Sequence, residues 1–326
     1  MNLLVSKQEK EVPKKIDTFK LFDRLGIIFV TLGLGILFTI LSSDFFTWSN
    51  IINIMRQTSV SAILAAGMTF VILTGGIDLS VGAIVALAGV FGVFLSLHVA
   101  APIAIIGGIL IGALAGFING ILTAKMKLPP IIVTLGSMTY LRGIAYIITG
   151  GYPLVLTAQS FKDLGSGFFV GIPVPIYITA IVFILSYIVL KYTTFGRNIY
   201  MIGGNEEASR LTGIKVESRL TWVYTISGLF AGLAGVILAG RLFTGQPNIG
   251  TGYELDAIAA VVLGGTSLAG GVGTIVGTLF GALFMGILSN GLTLLDVPYY
   301  WQLVIKGAVI VLAIYVDRIR RKNAKL

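Results

Sequence analysis

Charged residues cut this chain into long apolar runs. Between Arg24 and Asp44 lie 19 residues without a charge, between Arg56 and Asp78 there are 21, and between Asp78 and Lys125 there are 46. A membrane-spanning helix needs about 20 apolar residues. The third run therefore holds two spans, parted near His98-Val99-Ala100-Ala101-Pro102. Leu128 to Gly150, Gly171 to Leu190 and Leu220 to Gly240 each predict one more. The stretch Ala257 to Val316 divides into a short apolar piece ending at Gly270-Gly271, a span at Thr274 to Leu292, and a last one at Trp301 to Val316. Unpaired backbone cannot face lipid, so the fold class is all-α: a polytopic membrane protein with about ten transmembrane helices.

Composition agrees with this pattern. Of the 326 residues 56% are hydrophobic and only 11% charged, less than half of the about 25% usual in soluble domains. A soluble fold of this length has too much surface to hide so much apolar side chain. There is no cysteine and one histidine, His98, which excludes disulfide scaffolds and thiolate sites and leaves metal or acid/base catalysis poorly supplied.

The positive charge is distributed by side. The first 24 residues hold six Lys/Arg and four Asp/Glu, so 1–24 is expected to be a cytoplasmic leader. The regions sharing its side (1–24, Lys125/Lys127, 191–219 and the basic tail 317–326) carry 18 of the 23 Lys/Arg. The opposite loops carry Arg56, Lys162 and Arg241. Basic residues stay inside, so both termini are expected in the cytoplasm, with the transmembrane body at 25–316. The net charge of +9 is thus a topology signal, and nucleic-acid binding is not expected.

Glycines recur every four residues at Gly108, Gly112, Gly116 and Gly120, and again at Gly273, Gly277 and Gly281. On helices such spacing makes smooth strips for close backbone approach, either as static packing or as surfaces that slide. Small polar side chains inside the spans either bond neighbouring backbone or line a passage for a neutral, hydroxylated solute. Gln57, Asp78, Asn119, Arg142 and Asn290 are the candidate path residues. Lys306 lies about two turns into the last span, where its stem is long enough to snorkel outward. Gly75-Gly76-Ile77-Asp78-Leu79-Ser80 reads as a helix stop and restart, with Asp78 or Ser80 as cap or as part of an inner gate.

The longest inside loop, 191–219, contains its own short helix. Asn205 is a good N-cap, Glu206 and Glu207 suit the positive helix end, and Gly213 suits the position after the last turn. About two turns of helix are marginal in water, so Ala208 and Leu211 are expected to face a surface, on this chain or on a partner. The sequence contains no phosphate-binding loop of the G-x-x-x-x-G-K-[ST] type. Any ATP-driven work needs a separate polypeptide.

FFTWSNIINIMRQTSV (45–60), GMTFVILTGGIDLSVG (67–82), GGNEEASRLTGI (203–214) and QPNIGTGYELDAIAAVVLGGTSLAGGVGTIVGTLFGAL (246–283) resemble the permease subunits of bacterial carbohydrate ABC importers, most closely those that import ribose. The likeness covers about residues 25 to 320. It implies a multi-pass protein of the cytoplasmic (inner) membrane that pairs with a second copy of itself, a cytosolic ATPase and an extracytoplasmic sugar-binding protein. It implies no cofactor on this chain, with ATP and Mg on the ATPase, and no catalysis by the chain itself. It also implies that Asn205, Glu206, Glu207, Ala208, Leu211, Thr212, Gly213 and Ile214 form the ATPase-coupling loop. Arg56, Arg241, Glu254 and Asp256 lie in or beside outer loops and are candidates for docking the binding protein. Alternatives are a permease for another sugar or autoinducer-2, an ATP-independent carrier of small polar solutes, and a branched-chain amino-acid permease.

Overall fold

The computed structural model describes residues 18–324, with side chains over 26–319. The expected leader 1–24 therefore lies outside the described residues up to position 17, and the tail 317–326 at its last two positions. The helices are α1 Thr18–Leu41, α2 Trp48–Leu73, α3 Val81–Ser96, α4 Ala101–Ala124, α5 Pro130–Thr149, α6 Gln159–Ser166, α7 Val174–Tyr192, α8 Thr194–Gly204, α9 Glu206–Leu211, α10 Val216–Leu242, α11 Tyr253–Leu263, α12 Ile275–Leu294 and α13 Tyr299–Ala324. Two antiparallel pairs of two residues each join Leu154–Val155 to Thr244–Gly245 and Phe168–Phe169 to Ile172–Pro173. Among the described residues six helices are long and apolar enough to cross a membrane: α2, α4, α5, α7, α10 and α12. The protein is an all-α polytopic membrane protein.

Local chemistry explains the helix boundaries. The Thr47 hydroxyl accepts from Asn50 N at 3.4 Å to open α2, and that of Thr274 accepts from Gly277 N at 3.1 Å to open α12. Proline stands in the first turn of α4, α5 and α7, where its missing N–H costs nothing. Thr193 ends α7 and caps α8 by accepting from Gly196 N at 3.1 Å.

Most of α2 and α10, together with α3, is buried, and the other helices wrap them. The outer helices invert the rule for soluble proteins. On α4, Ile106, Leu110 and Leu114 are exposed while Gly108, Gly112, Gly116 and Gly120 face inward. Lipid is the solvent for the first set, so there is no hydrophobic reason to bury it, and close packing holds the second. A Cβ on Gly112 would lie 2.6 Å from both the Gly228 carbonyl oxygen and the Gly232 Cα, and one on Gly120 would lie 2.7 Å from the Thr221 oxygen. The α4 strip thus meets Gly228 and Gly232 of α10 backbone to backbone. Gly281 and Gly277 of α12 meet Ala260 of α11 and Gly264 at its C-terminal end in the same way.

The short eighth run is α11. Its 11 residues reach only about 16 Å at 1.5 Å per residue, and the chain continues through a non-helical turn at 264–273. The final helix runs on past Val316 to Ala324.

Gly116→Val places methyl groups against the Tyr224 carbonyl and the Gly228 Cα, both backbone atoms that cannot swing away. It is expected to destabilise the detergent-solubilised protein by about 1–3 kcal/mol, read as a lowered thermal midpoint. Gly33→Ala on α1, where a Cβ meets open space, is expected to leave the midpoint unchanged or slightly raised.

Candidate functional site

The first departure from helix inside the bundle lies between α2 and α3. Gly75 turns the chain with φ 80°, and the Tyr224 hydroxyl lies so close to Gly76 that no side chain fits there. Asp78 is completely buried. Its Oδ1 accepts from Ser80 N at 3.0 Å and Ser80 Oγ at 2.6 Å, and its Oδ2 accepts from Ser227 Oγ at 2.9 Å. Having donated to Asp78, the Ser80 hydroxyl accepts from Asn119 Nδ2 at 2.9 Å. Asn119 Oδ1 in turn accepts from Ser137 Oγ. One chain of hydrogen bonds thus ties α10, the α2–α3 break, α4 and α5. A buried polar group is costly unless partnered, and Asp78, Ser80, Asn119 and Ser137 share partners at 0% exposure.

The remaining candidate path residues fare differently. Asn290 is buried and exchanges amide hydrogen bonds with Asn50 at 2.8 and 3.0 Å. Gln57 is exposed on α2. Arg142 is half-buried on α5, and its Nη1 donates to the carbonyls of Pro247 at 3.0 Å and Ile249 at 2.6 Å. Thr69, Thr134, Ser59 and Ser289 each bond a carbonyl four residues back, the local partner that span hydroxyls commonly take.

The second departure is the segment between α10 and α11. It descends from Phe243, whose carbonyl accepts from Leu156 N at 2.9 Å, past α3. Gly245 lies against Val90, and Gly250 against Gly82. Glu254 is buried beneath it, with Oε1 accepting from Gly252 N at 3.2 Å. Asp256 pairs with Lys306 at 3.2 Å, both side chains about one-fifth exposed. Lys306 therefore does not snorkel: it ties α13 to α11. Among the described residues Arg56 and Arg241 have no carboxylate partner. Of the four candidates for docking an outer protein, Asp256 is paired and Glu254 is buried, which leaves Arg56 and Arg241 as half-exposed charges without such a partner.

At the other end of α10 lies the loop helix α9. The Asn205 side chain accepts from Ala208 N at 2.9 Å, and Gly213 adopts φ 84° just past the last turn. Arg210 bonds Glu206 at 3.0 Å and also bonds Glu217, and these carboxylates raise its pKa further. Ser209 faces the chain, whereas Ala208 is exposed and Leu211 is 85% exposed. Glu206, Glu207, Thr212 and Gly213 are exposed as well, and Ile214 is half-buried. Beside this helix the turn after α11 locks onto the ends of α2 and α8. Gly271 N donates to Leu73 O at 2.9 Å, and the Tyr200 hydroxyl donates to Gly273 O at 3.0 Å. Among the described residues no group of three His, Asp or Glu side chains is placed to hold a metal ion.

Comparison with known proteins gives the family. Residues 50–314 match the family described as branched-chain amino acid transport system / permease component. The chain is 48% identical over 302 residues to the ribose import permease protein RbsC of Escherichia coli (strain K12), covering 91% of this chain and 94% of the relative. It is 47% identical over 309 residues to RbsC of Bacillus subtilis (strain 168), covering 94% and 96%. To the D-allose transport system permease protein AlsC of Escherichia coli (strain K12) it is 39% identical over 313 residues, covering 95% and 96%. No solved structure gives a significant match. The family description names branched-chain amino acids, but these relatives are named for sugars.

Asn119→Ala removes the bridge between Ser80 and Ser137, taking a donor from the Ser80 hydroxyl and the close acceptor from the Ser137 hydroxyl. The Ser80 hydroxyl keeps its bond to Asp78, so the expected cost is about 1–2 kcal/mol, measured as reduced resistance to unfolding in mixed detergent. Thr139→Ala, which loses only an exposed bond to Leu135 O, serves as the control and is expected to change little.

Proposed function

The chain belongs to the permease-component family of bacterial ABC import systems, and from that premise we propose that it is the transmembrane subunit of a ribose importer. It is a transport component of the cytoplasmic (inner) membrane that crosses the bilayer several times. The observation that carries the sugar is the 47–48% identity to two ribose import permeases across more than nine-tenths of this chain. The alternatives retained from the sequence, another sugar, autoinducer-2 or an amino acid, have no observation in their favour that matches this. Nor does an ATP-independent carrier.

We read α1, α3, α11 and α13 as completing ten spans, with α11 a partial one and both termini in the cytoplasm. That orientation puts α9 and the 264–273 turn on the inner side and Arg56 and Arg241 on the outer side. The importer then consists of two copies of this chain, a cytosolic ATPase carrying ATP and Mg, and an extracytoplasmic binding protein. The permease itself binds no cofactor.

Helix α9 supports the coupling role through its energetics. Six residues do not hold a helix in water unaided, yet α9 is capped at both ends and clasped by Arg210, while its largest apolar side chain points away from the chain. An uncovered Leu on a pre-formed helix fits a groove on a partner. ATP-driven closure of the ATPase pair would carry α9 with it and repack the spans to open the path inward. At the outer rim Arg56 and Arg241 suit acidic groups on the binding protein. A weak sugar site suffices here, because a tight one would hold the solute in place.

Reconstituted with its ATPase and binding protein, the permease is expected to support ATP hydrolysis that ribose stimulates more strongly than L-arabinose or D-allose. Leu211→Asp is expected to lower that stimulation about tenfold, the scale of one interface anchor, without reducing membrane insertion. Uptake by the permease alone at full rate, or unchanged coupling in the Leu211→Asp complex, would overturn the reading.

A further inference from the structure

The segment 243–252 places irregular backbone deep in the protein. Between Gly245, which lies against Val90, and Gly250, which lies against Gly82, it runs beside eight residues of α3, about 12 Å along the helix axis. Arg142, which holds the Pro247 and Ile249 carbonyls, stands near the middle of α5. The lower part of the segment is therefore near mid-depth in the bilayer. Irregular backbone at that depth is tolerated only where it is buried in protein or lines a water-filled cavity.

The first condition holds at some residues of the segment and fails at others. Gly245, Pro247 and Gly250 are buried, whereas Asn248 and Thr251 are exposed. The Thr251 hydroxyl donates to the Asn248 carbonyl at 3.0 Å. Among the described residues the Asn248 side-chain amide has no hydrogen-bond partner. A primary amide offers two donors and a two-lone-pair acceptor. Facing hydrocarbon unpartnered, it would cost several kcal/mol. On α5, Thr139 and Tyr146, three positions before Arg142 and four after it, are exposed too. An exposed amide and hydroxyl at mid-depth, on a segment whose neighbouring carbonyls a charged side chain holds, suit a ligand that is itself a ring of hydroxyls.

We propose that Asn248 and Thr251 contact the sugar in the translocation path and help set its selectivity, with Arg142 as the residue that positions them. This rests on the reading of the chain as a sugar permease, and it names the residues that do the recognising. None of them except Arg142 stands out in the sequence. Asp78, Asn119 and Asn290 are closed off by their own hydrogen bonds, and the segment that presents Asn248 becomes visible only once its depth is known.

The chain has no cysteine, so Asn248→Cys or Thr251→Cys provides its single thiol, read on the permease band after the complex is separated. In the full complex in vesicles, both thiols are expected to react with a membrane-impermeant thiosulfonate reagent and to be slowed several-fold when ribose-loaded binding protein drives turnover. The Ala86→Cys control, completely buried on α3, is expected to stay unreactive. Arg142→Met in the Asn248→Cys background is expected to change the labelling rate while Ala86→Cys remains silent. Asn248→Ala is expected to shift the preference for ribose over L-arabinose about tenfold, the scale of one lost hydrogen bond. Absence of labelling at both positions, with and without nucleotide, in complexes that insert and hydrolyse ATP would overturn the inference. So would disulfide formation between Asn248→Cys thiols of two copies, which would make the segment a subunit contact. If wild-type vesicles ignore ribose while the thiols still label, the path survives and the sugar assignment falls, so the two failures are distinguishable.

Discussion

Inside hydrocarbon, a peptide group that leaves a helix must find its partner within the protein, and this fold is organised around two places where the chain does so. At the first, Asp78 gathers donors from Ser80 and Ser227. At the second, Arg142 reaches across to two carbonyls of the 243–252 segment. Each break is held by ionisable side chains, Asp78 at the first and Arg142 with Glu254 at the second, and each closure ties together helices far apart in sequence. Charge in the spans is rare because it is expensive. Here it appears at these two breaks and in the Asp256–Lys306 pair that joins α11 to α13.

The neutral packing around these breaks follows from the same solvent. Lipid gives helices no hydrophobic reason to associate, so contact must be close to be worth anything. The α4–α10 seam achieves this by removing side chains from both faces, with Gly112 and Gly116 against Gly228 and Gly232. Since α10 also carries Ser227 to Asp78, the smooth seam and the polar cluster hold the same helix. Movement of α10 would have to disturb both together.

Much of the architecture was legible before the structure. Charge spacing marked most of the apolar helices, because a bilayer sets their length. Asn205, Gly213 and the acidic first turn outlined α9, because capping is decided within a few residues. The glycine strips were visible as strips. What was not legible was partnership. Asp78 meets Ser227 across 149 positions, Asn50 meets Asn290 across 240, and Lys306 meets Asp256 across 50, so Asp78, Asn290, Lys306 and Asp256 could be flagged but their pairings could not, and Ser227 and Asn50 did not stand out at all. Lys306 reads as a snorkelling amine until α11 is known to lie beside α13. The depth of Asn248 is hidden for the same reason, since a loop between two spans is normally drawn outside the membrane.

The self-contained build of α9 has a thermodynamic corollary. Fixing a residue's backbone costs about 1–2 kcal/mol, and a flexible loop of the same length would meet that cost each time it engaged a motor. Here the cap at Asn205 and the Arg210 clasp have already met it during folding. In the coupling role proposed for it, α9 would act as a pre-formed lever, with the clasp to Glu217 linking it to the start of α10.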